Sequence, residues 1–290
     1  MESAPDPIVQ RHRLRVELRQ ERTNAELSQR EVAKRLGWSS SKLLRIETGQ
    51  SGVSRTDLKA LLEQYGVTDS TRIAALSQLA EESRRHPWGR YRDVLNPEFL
   101  VHLGYEGAAS TLMQYHHLAI PGLLQTEEYV QSIIRAFAKP GTSDQTIRRQ
   151  IEVRLKRQAV FERANPPKAA FILDESSVRR SPGQGVAGAS IMRRQLAHLR
   201  RLNESPLINI QILPFSFGLR DGMQNPFVLL GFADSEGVLL HLEGHKSTLS
   251  LDDPVQVDHY RKVFEDLRTS ATPPEMLDEV LNRVADEGPI

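Results

Sequence analysis

The sequence predicts a small all-α domain of five helices followed by a larger α+β domain. The chain has 290 residues, enough for two domains, and 39% of them are hydrophobic, which is typical of globular cores. Apolar residues at helical spacing run through the first 82 residues, whereas stretches typical of strands first appear near residue 169. We therefore expect a helical domain at 1–82, a linker passing into the second domain at 83–105, and an α+β domain at 106–290.

The composition narrows the class of protein. Residues 1–92 hold 17 Lys and Arg against 12 Asp and Glu, so the basic excess lies in the first third and indicates a polyanionic partner there. There is no cysteine, which excludes disulfides, a thiol nucleophile and thiolate metal sites, and fits a reducing compartment. The sequence shows no apolar signal segment and no run of about 18 apolar residues. We expect a cytoplasmic protein that does not contact the membrane.

Caps, glycine stops and apolar spacing predict the five short helices. The second opens with a capping box of Ser28 and Glu31 and stops at Gly37, because glycine accepts a positive φ at low cost. A tight glycine-containing turn between two helices is the helix-turn-helix geometry. The apolar residues expected to face inward are, helix by helix, Leu14 and Leu18; Val32, Ala33 and Leu36; Leu43 and Ile46; Leu58, Leu61, Leu62 and Tyr65; and Ile73, Leu76 and Leu79.

The third helix has a polar outer face without an acid. Ser39 caps this helix, and Ser40, Ser41 and Arg45 share its outward side. Hydroxyl groups can donate to or accept from base edges, and arginine can bind guanine through two hydrogen bonds. An acid on this face would meet the phosphates, so its absence is expected of a helix that enters the major groove.

Three further polar residues are predicted to contact the DNA backbone. Gln29, at the start of the second helix, and Lys42 are expected at a phosphate, and Arg55 closes on the backbone after the third helix. A polar helix face in any five-helix domain is the alternative interpretation. We favour DNA because the caps, the glycine turn, the apolar spacing and the sign of the charge agree. The predicted DNA-binding residues are Gln29, Ser39, Ser40, Ser41, Lys42, Arg45 and Arg55.

The second domain mixes predicted strands and helices. Isoleucines at 208, 210 and 212 alternate with Asn209 and Gln211, which predicts a strand that buries one face only. The other predicted strands are 169–173, 227–232 and 238–243, and the predicted helices are 126–138, 146–163, 189–203, 254–270 and 274–285.

Two patterns in the second domain are similar to cofactor or metal sites. GQGVAG at 183–188 fits the G-x-G-x-x-G pattern, but a dinucleotide-binding turn follows its strand directly, and here nine residues intervene. His241, Glu243 and His245 would share one face of an extended strand, but Gly244 is expected to end it. We therefore predict no catalytic, cofactor-binding or metal-binding residues, no cofactor, and a protein that is not an enzyme.

The run LSQREVAKRLGWSSSKLLRIETG at 27–49 resembles the XRE-type helix-turn-helix of phage-repressor-like regulators. The resemblance implies that the first residues of the third helix and Arg45 read bases, while Gln29 helps to hold the DNA backbone. Trp38 departs from the family's small or β-branched residue, and we expect it to pack between the two helices. One such motif offers few base contacts, so we expect a homodimer, held mainly by the second domain, on palindromic duplex DNA with half-sites about 34 Å apart.

The rest of the chain resembles an actinobacterial domain of unknown function found in antitoxin-like regulators of the Scr family. The matching pieces are IPGLLQTEEYV, RLKRQAVF, FILDESSVRR, MRRQLAHL, INIQILPF, PFVLLGF, and HLEG with LDDP. This resemblance implies a DNA-binding transcription regulator whose second domain binds a small-molecule effector or a small partner protein. Two alternatives stay open, an antitoxin-like autoregulatory scaffold and an enzyme tethered to DNA; the absence of an assembled catalytic constellation disfavours the enzyme.

Overall fold

The structure, a computed structural model, describes residues 7–48, 51–83, 88–233, 237–243, 248–251 and 253–287. It divides into two compact units. The first comprises residues 1–92 and 96–108, and the second comprises residues 93–95 and 109–290. Within the described ranges, no helix is long and apolar enough to span a membrane.

The first unit begins with the five predicted helices. Gly37, in the turn between the second and third, has a φ of +66°, which favours glycine as expected. Buried residues from all five helices form one apolar core, with Leu43 and Leu61 fully enclosed. The helices are α1 (Pro7–Asn24), α2 (Gln29–Leu36), α3 (Ser40–Glu47), α4 (Arg55–Gln64) and α5 (Ser70–Glu82).

The segment predicted as a linker, 83–105, contains ordered structure. A short 3-10 turn at Gly89–Tyr91 is followed by α6 (Pro97–Ala108), which packs against α1 within the first unit. Residues 100–106 of α6 are all buried, so this helix has no polar stripe and its sequence lacks the amphipathic period by which helices are recognised. Residues 84–87 of the predicted linker lie outside the described residues.

The second unit is built on a mixed sheet, which in the described part of the chain has six strands in the order β3-β2-β1-β4-β5-β6. Strand β2 pairs in parallel with β3 and with β1, whereas β4 pairs antiparallel with β1, β5 antiparallel with β4, and β6 antiparallel with β5. Strands β2 to β5 match predicted strands, whereas β1 and β6 were not predicted. Their bounds are β1 (Thr111–His116), β2 (Lys168–Asp174), β3 (Ile208–Leu213), β4 (Phe227–Gly231), β5 (Val238–Glu243) and β6 (Thr248–Leu251).

Helices cover this sheet, and one of them forms an apolar core with it. Val257, Phe264 and Leu267 of the penultimate helix pack with buried residues from strands β1 to β5. The helices are α7 (Glu127–Phe137), α8 (Asp144–Arg157), α9 (Glu175–Arg179), α10 (Gly185–Asn203), α11 (Pro254–Ser270) and α12 (Leu277–Glu287). The predicted fold class, a small helical domain followed by a larger α+β domain, is confirmed.

One prediction for β3 is wrong. Gln211 was expected on an exposed face, but only 6% of it is exposed. Its side-chain nitrogen donates hydrogen bonds to the backbone carbonyls of Arg268 (3.2 Å) and Thr272 (3.1 Å). A buried amide that finds such partners carries little desolvation cost, so the polar residue is tolerated on the buried part of this face, whereas Asn209 on the same face is exposed as predicted.

Candidate nucleic-acid interface

The outward face of α3 carries four exposed residues: Ser40, Ser41, Leu44 and Arg45. The opposite side of the helix is buried, with Leu43 and Ile46 in the apolar core of the first unit. Within the described chain, no hydrogen bond or ion pair engages the two hydroxyls or the Arg45 guanidinium. These groups are therefore available to an external partner, and none of the four side chains is acidic.

Ser39 is the N-cap residue that directly precedes α3. Its hydroxyl oxygen accepts a hydrogen bond from the backbone N–H of Lys42 at 3.2 Å, which satisfies one of the amide groups left open at a helix start. The predicted capping role is thus present in the structure. Contact between Ser39 and DNA stays a prediction.

Three arginines of α1 hold the carboxyl end of α3 from behind. Arg15 donates to the backbone carbonyl of Thr48 and Arg19 to that of Glu47, both at 2.9 Å. Arg22 forms an ion pair with the Glu47 carboxylate, with its Nε 2.8 Å from Oε1. Positive charge at this end complements the helix dipole and satisfies carbonyls that the helix leaves open. Part of the basic excess of the first third therefore serves the fold and positions α3.

Gln29 is fixed by the same buried carboxylate. Its Nε2 donates to Oε2 of Glu47 at 2.7 Å, and Glu47 is 1% exposed. Gln29 itself is half-buried at the start of α2. The network thus joins α1, α2 and α3 through one acidic side chain, and it restricts the orientation of the amide that was predicted to contact the DNA backbone.

The two cationic residues predicted at phosphates are paired within the first unit. Lys42 Nζ lies 2.7 Å from Asp57 Oδ1 and 3.8 Å from the centre of the Trp38 ring. Trp38 also packs against the apolar core of the first unit. Arg55 pairs with Glu81 of α5, and both side chains are more than half exposed. To contact a phosphate, either cation must leave its acidic partner or share its charge with that partner. The net gain in binding free energy is therefore smaller than for an unpaired cation.

Sequence reasoning missed two features of this surface. Leu44 was not predicted to face outward, although it falls outside the inward pair formed by Leu43 and Ile46. The second feature is a set of exposed basic residues on α2, which packs against α3: Arg30, Lys34 and Arg35. Their signal in the sequence was a basic run on the side of α2 opposite Val32 and Ala33.

Comparison with known families finds a separate match for each of the two parts of the chain. Residues 13–76 match the family model of a helix-turn-helix domain, and residues 99–283 match that of a domain of unknown function, DUF5753. The second match covers more than half of the chain. The chain belongs to the DUF5753 family. No curated protein and no solved structure matches this DUF5753 chain. The helix-turn-helix match spans α2, α3 and all seven predicted DNA-binding residues, which supports DNA binding by this unit.

The structure describes, wholly or in part, both patterns of the DUF5753 region that are similar to cofactor or metal sites. The glycine run opens α10, and α9 separates it from the end of β2. A Cβ on Gly188 would lie 2.2 Å from the carbonyl oxygen of Gly183, so close backbone packing requires this glycine. His241 is buried in β5, while His245 lies outside the described residues. Among the described residues, no group of three or more His, Cys, Asp or Glu is placed to hold a metal ion.

Proposed function

We propose that this protein is a sequence-specific DNA-binding transcription regulator of the XRE type, with α3 as its recognition helix. The observation that carries the proposal is the outward face of α3, where exposed hydroxyl and guanidinium groups have no intramolecular partner in the described chain. Serine and arginine on such a face can read base edges in the major groove. Helix α3 is only about two turns long, and the arginines of α1 hold its carboxyl end in place through the hydrogen bonds and the ion pair described above.

The electrostatics of the first unit favour the same partner. The exposed basic residues of α2 lie beside the outward face of α3. That face carries Arg45 and has no acidic residue. Basic groups around a recognition helix attract the phosphates and fix the register of the helix on the duplex. Under this proposal Arg45 binds guanine, while Lys42 and Arg55 contribute charge that does not depend on base sequence.

The second unit is proposed to dimerise and to receive the regulatory input. The second unit, residues 93–95 and 109–290, holds 21 Lys and Arg against 23 Asp and Glu, so it has no excess positive charge to attract DNA. Two copies of the first unit (the DNA-binding head), one from each protomer, on one palindromic site would supply the base contacts that one motif lacks. The input would be a small-molecule effector or, as in an antitoxin-like regulator, a small partner protein. The proposal assigns no catalytic step to this unit.

Arg45→Ala tests the proposal directly. We expect it to cost about 1 to 3 kcal/mol on a duplex selected by the wild-type protein and to relax the preference at one base pair. Lys42→Ala should weaken selected and random duplexes by the same factor. The duplex is obtained by selection from a random-sequence pool, and affinities are compared by competition binding at one salt concentration.

Arg193→Ala is the matched control, because it removes an exposed arginine from α10 in the second unit. It should leave both affinities unchanged. If Arg45→Ala binds the selected duplex and the random duplex with the same affinities as the wild-type protein, Arg45 does not read a base. Failure of the selection to enrich any sequence would count against sequence-specific DNA binding as a whole.

A further inference from the structure

Leu44 is an apolar residue on a face that is otherwise polar. It is 48% exposed and shares the outward side of α3 with Ser40, Ser41 and Arg45. It takes no part in the apolar core of the first unit, to which the neighbouring Leu43 belongs. A single exposed leucine is ordinary on a protein surface, so its position on the helix decides whether it has a role.

The position of Leu44 is central to the proposed reading face. Residues four apart on a helix are neighbours, with Cβ atoms about 5–6 Å apart, so Leu44 lies against Ser40. Arg45 is the next residue in the chain. A helix that brings these polar groups to base edges brings Leu44 to them as well. If Leu44 met only the polar edges of bases, its apolar side chain would make no favourable contact there.

One base offers an apolar group in the major groove. Thymine carries a 5-methyl group there, and apolar side chains contact it, whereas the other bases present donors and acceptors. We propose that Leu44 contacts the 5-methyl group of a thymine and thereby selects an A·T pair in the operator half-site. This inference rests on the proposed function, because it requires α3 to lie in the major groove.

The spacing of the chain places that thymine relative to the base read by Arg45. Consecutive Cα atoms are about 3.8 Å apart, and base pairs follow one another at about 3.4 Å. Leu44 and Arg45 are therefore expected to reach bases within one half-site.

Replacing thymine with deoxyuridine tests the contact, because it removes the methyl group and leaves the base-pairing edges intact. The full-length protein first selects a duplex from a random pool, and each thymine of that duplex is then replaced singly. We expect one replacement to weaken wild-type binding about fourfold, the factor that corresponds to about 0.8 kcal/mol for one buried methyl-sized group. Leu44→Ala should bind the thymine and deoxyuridine duplexes equally at that position.

Val16→Ala is the matched control, because Val16 of α1 is 42% exposed and lies outside α3. It should retain the fourfold effect of the replacement. The inference is overturned if no single deoxyuridine weakens wild-type binding, or if Leu44→Ala keeps the same sensitivity as the wild-type protein, since the cycle then shows no coupling. A wild-type protein that selects no duplex at all overturns the proposed function itself, which is a separate result.

Discussion

The buried carboxylate of Glu47 is predicted to control the stability of the first unit. Glu47 is 1% exposed and accepts hydrogen bonds from Arg22 and Gln29, and Arg22 is only 14% exposed. Removing one partner of a buried ion pair costs about 3–5 kcal/mol, because the other charge stays buried without compensation. Arg22 also donates to the carbonyl of Leu27 at 2.7 Å, so we expect Glu47→Ala to cost about 3 kcal/mol, the lower end of that range.

Glu81→Ala provides a matched comparison in the same unit. Glu81 pairs with Arg55, and the two side chains are 52% and 73% exposed. Exposed pairs contribute about 0–1 kcal/mol, so this variant should lose less than about 1 kcal/mol. Glu47→Gln retains a hydrogen-bonding group of the same size and should fall between the two alanine variants.

Urea unfolding of the full-length protein, followed by tryptophan fluorescence, measures the difference. Trp38 and Trp88 are the two tryptophans of the chain, and both belong to the first unit, so the signal reports that unit alone. With a slope of about 1–2 kcal/mol per molar urea, a loss of 3 kcal/mol lowers the midpoint by about 1.5–3 M. Equal midpoints for Glu47→Ala and Glu81→Ala would refute the argument from burial.

Two further predictions concern association and pH. Light scattering should find the full-length protein dimeric and a fragment of residues 1–108 monomeric, because the apolar residues of the first unit are already buried in its own core. A dimeric fragment would place the dimer interface in the first unit. Burial alone would raise the pKa of Glu175, but hydrogen bonds from the backbone N–H of Phe215 (3.0 Å) and from Arg179 (2.7 Å) outweigh it and lower this pKa below its ordinary value of 4.5. The resulting stability is present above pH 4.5 and is lost as the pH falls through the lower folded-state pKa, so calorimetry should find Glu175→Gln less stable than wild type at pH 7, with a smaller difference at pH 3. A difference that is the same at both pH values, or that the Glu279→Gln variant reproduces, would argue against this account, because the Glu279 side chain of α12 is exposed.

Elements whose signals are local were predictable. The capping box of Ser28 and Glu31 and the left-handed turn at Gly37 depend on residues within one helical turn, and the structure contains both. Helix α6 and strand β1 lacked such signals. Residues 100–106 are buried on every side, and β1 is stabilised by pairing with β2 and β4, which lie far along the chain. Pairing at that distance leaves no trace in a short window of sequence.

The same distinction applies to the candidate DNA interface. The outward orientation of Ser40, Ser41 and Arg45 follows from helical period, and the structure has it. The acidic partners of Gln29, Lys42 and Arg55 lie 18, 15 and 26 residues further along the chain, so no local pattern could identify these residues as pairs. The outward side chain of Leu44 followed from the period as well, but its apolar character argued for burial. Here the geometry of the helix outweighs the hydrophobicity of one residue.

Helix α6 has a consequence for anyone who exchanges parts of this protein. The family match begins at residue 99, inside α6, yet the helix packs with the head: the Tyr105 ring lies 5.2 Å from the Arg15 guanidinium and 5.7 Å from the ring of His12. Arg15 in turn holds the end of α3 through Thr48. A chimaera joined at residue 99 would pair α1 with a foreign surface and loosen the support of the recognition helix. The practical junction lies after residue 108, so a transplanted head must bring α6 with it.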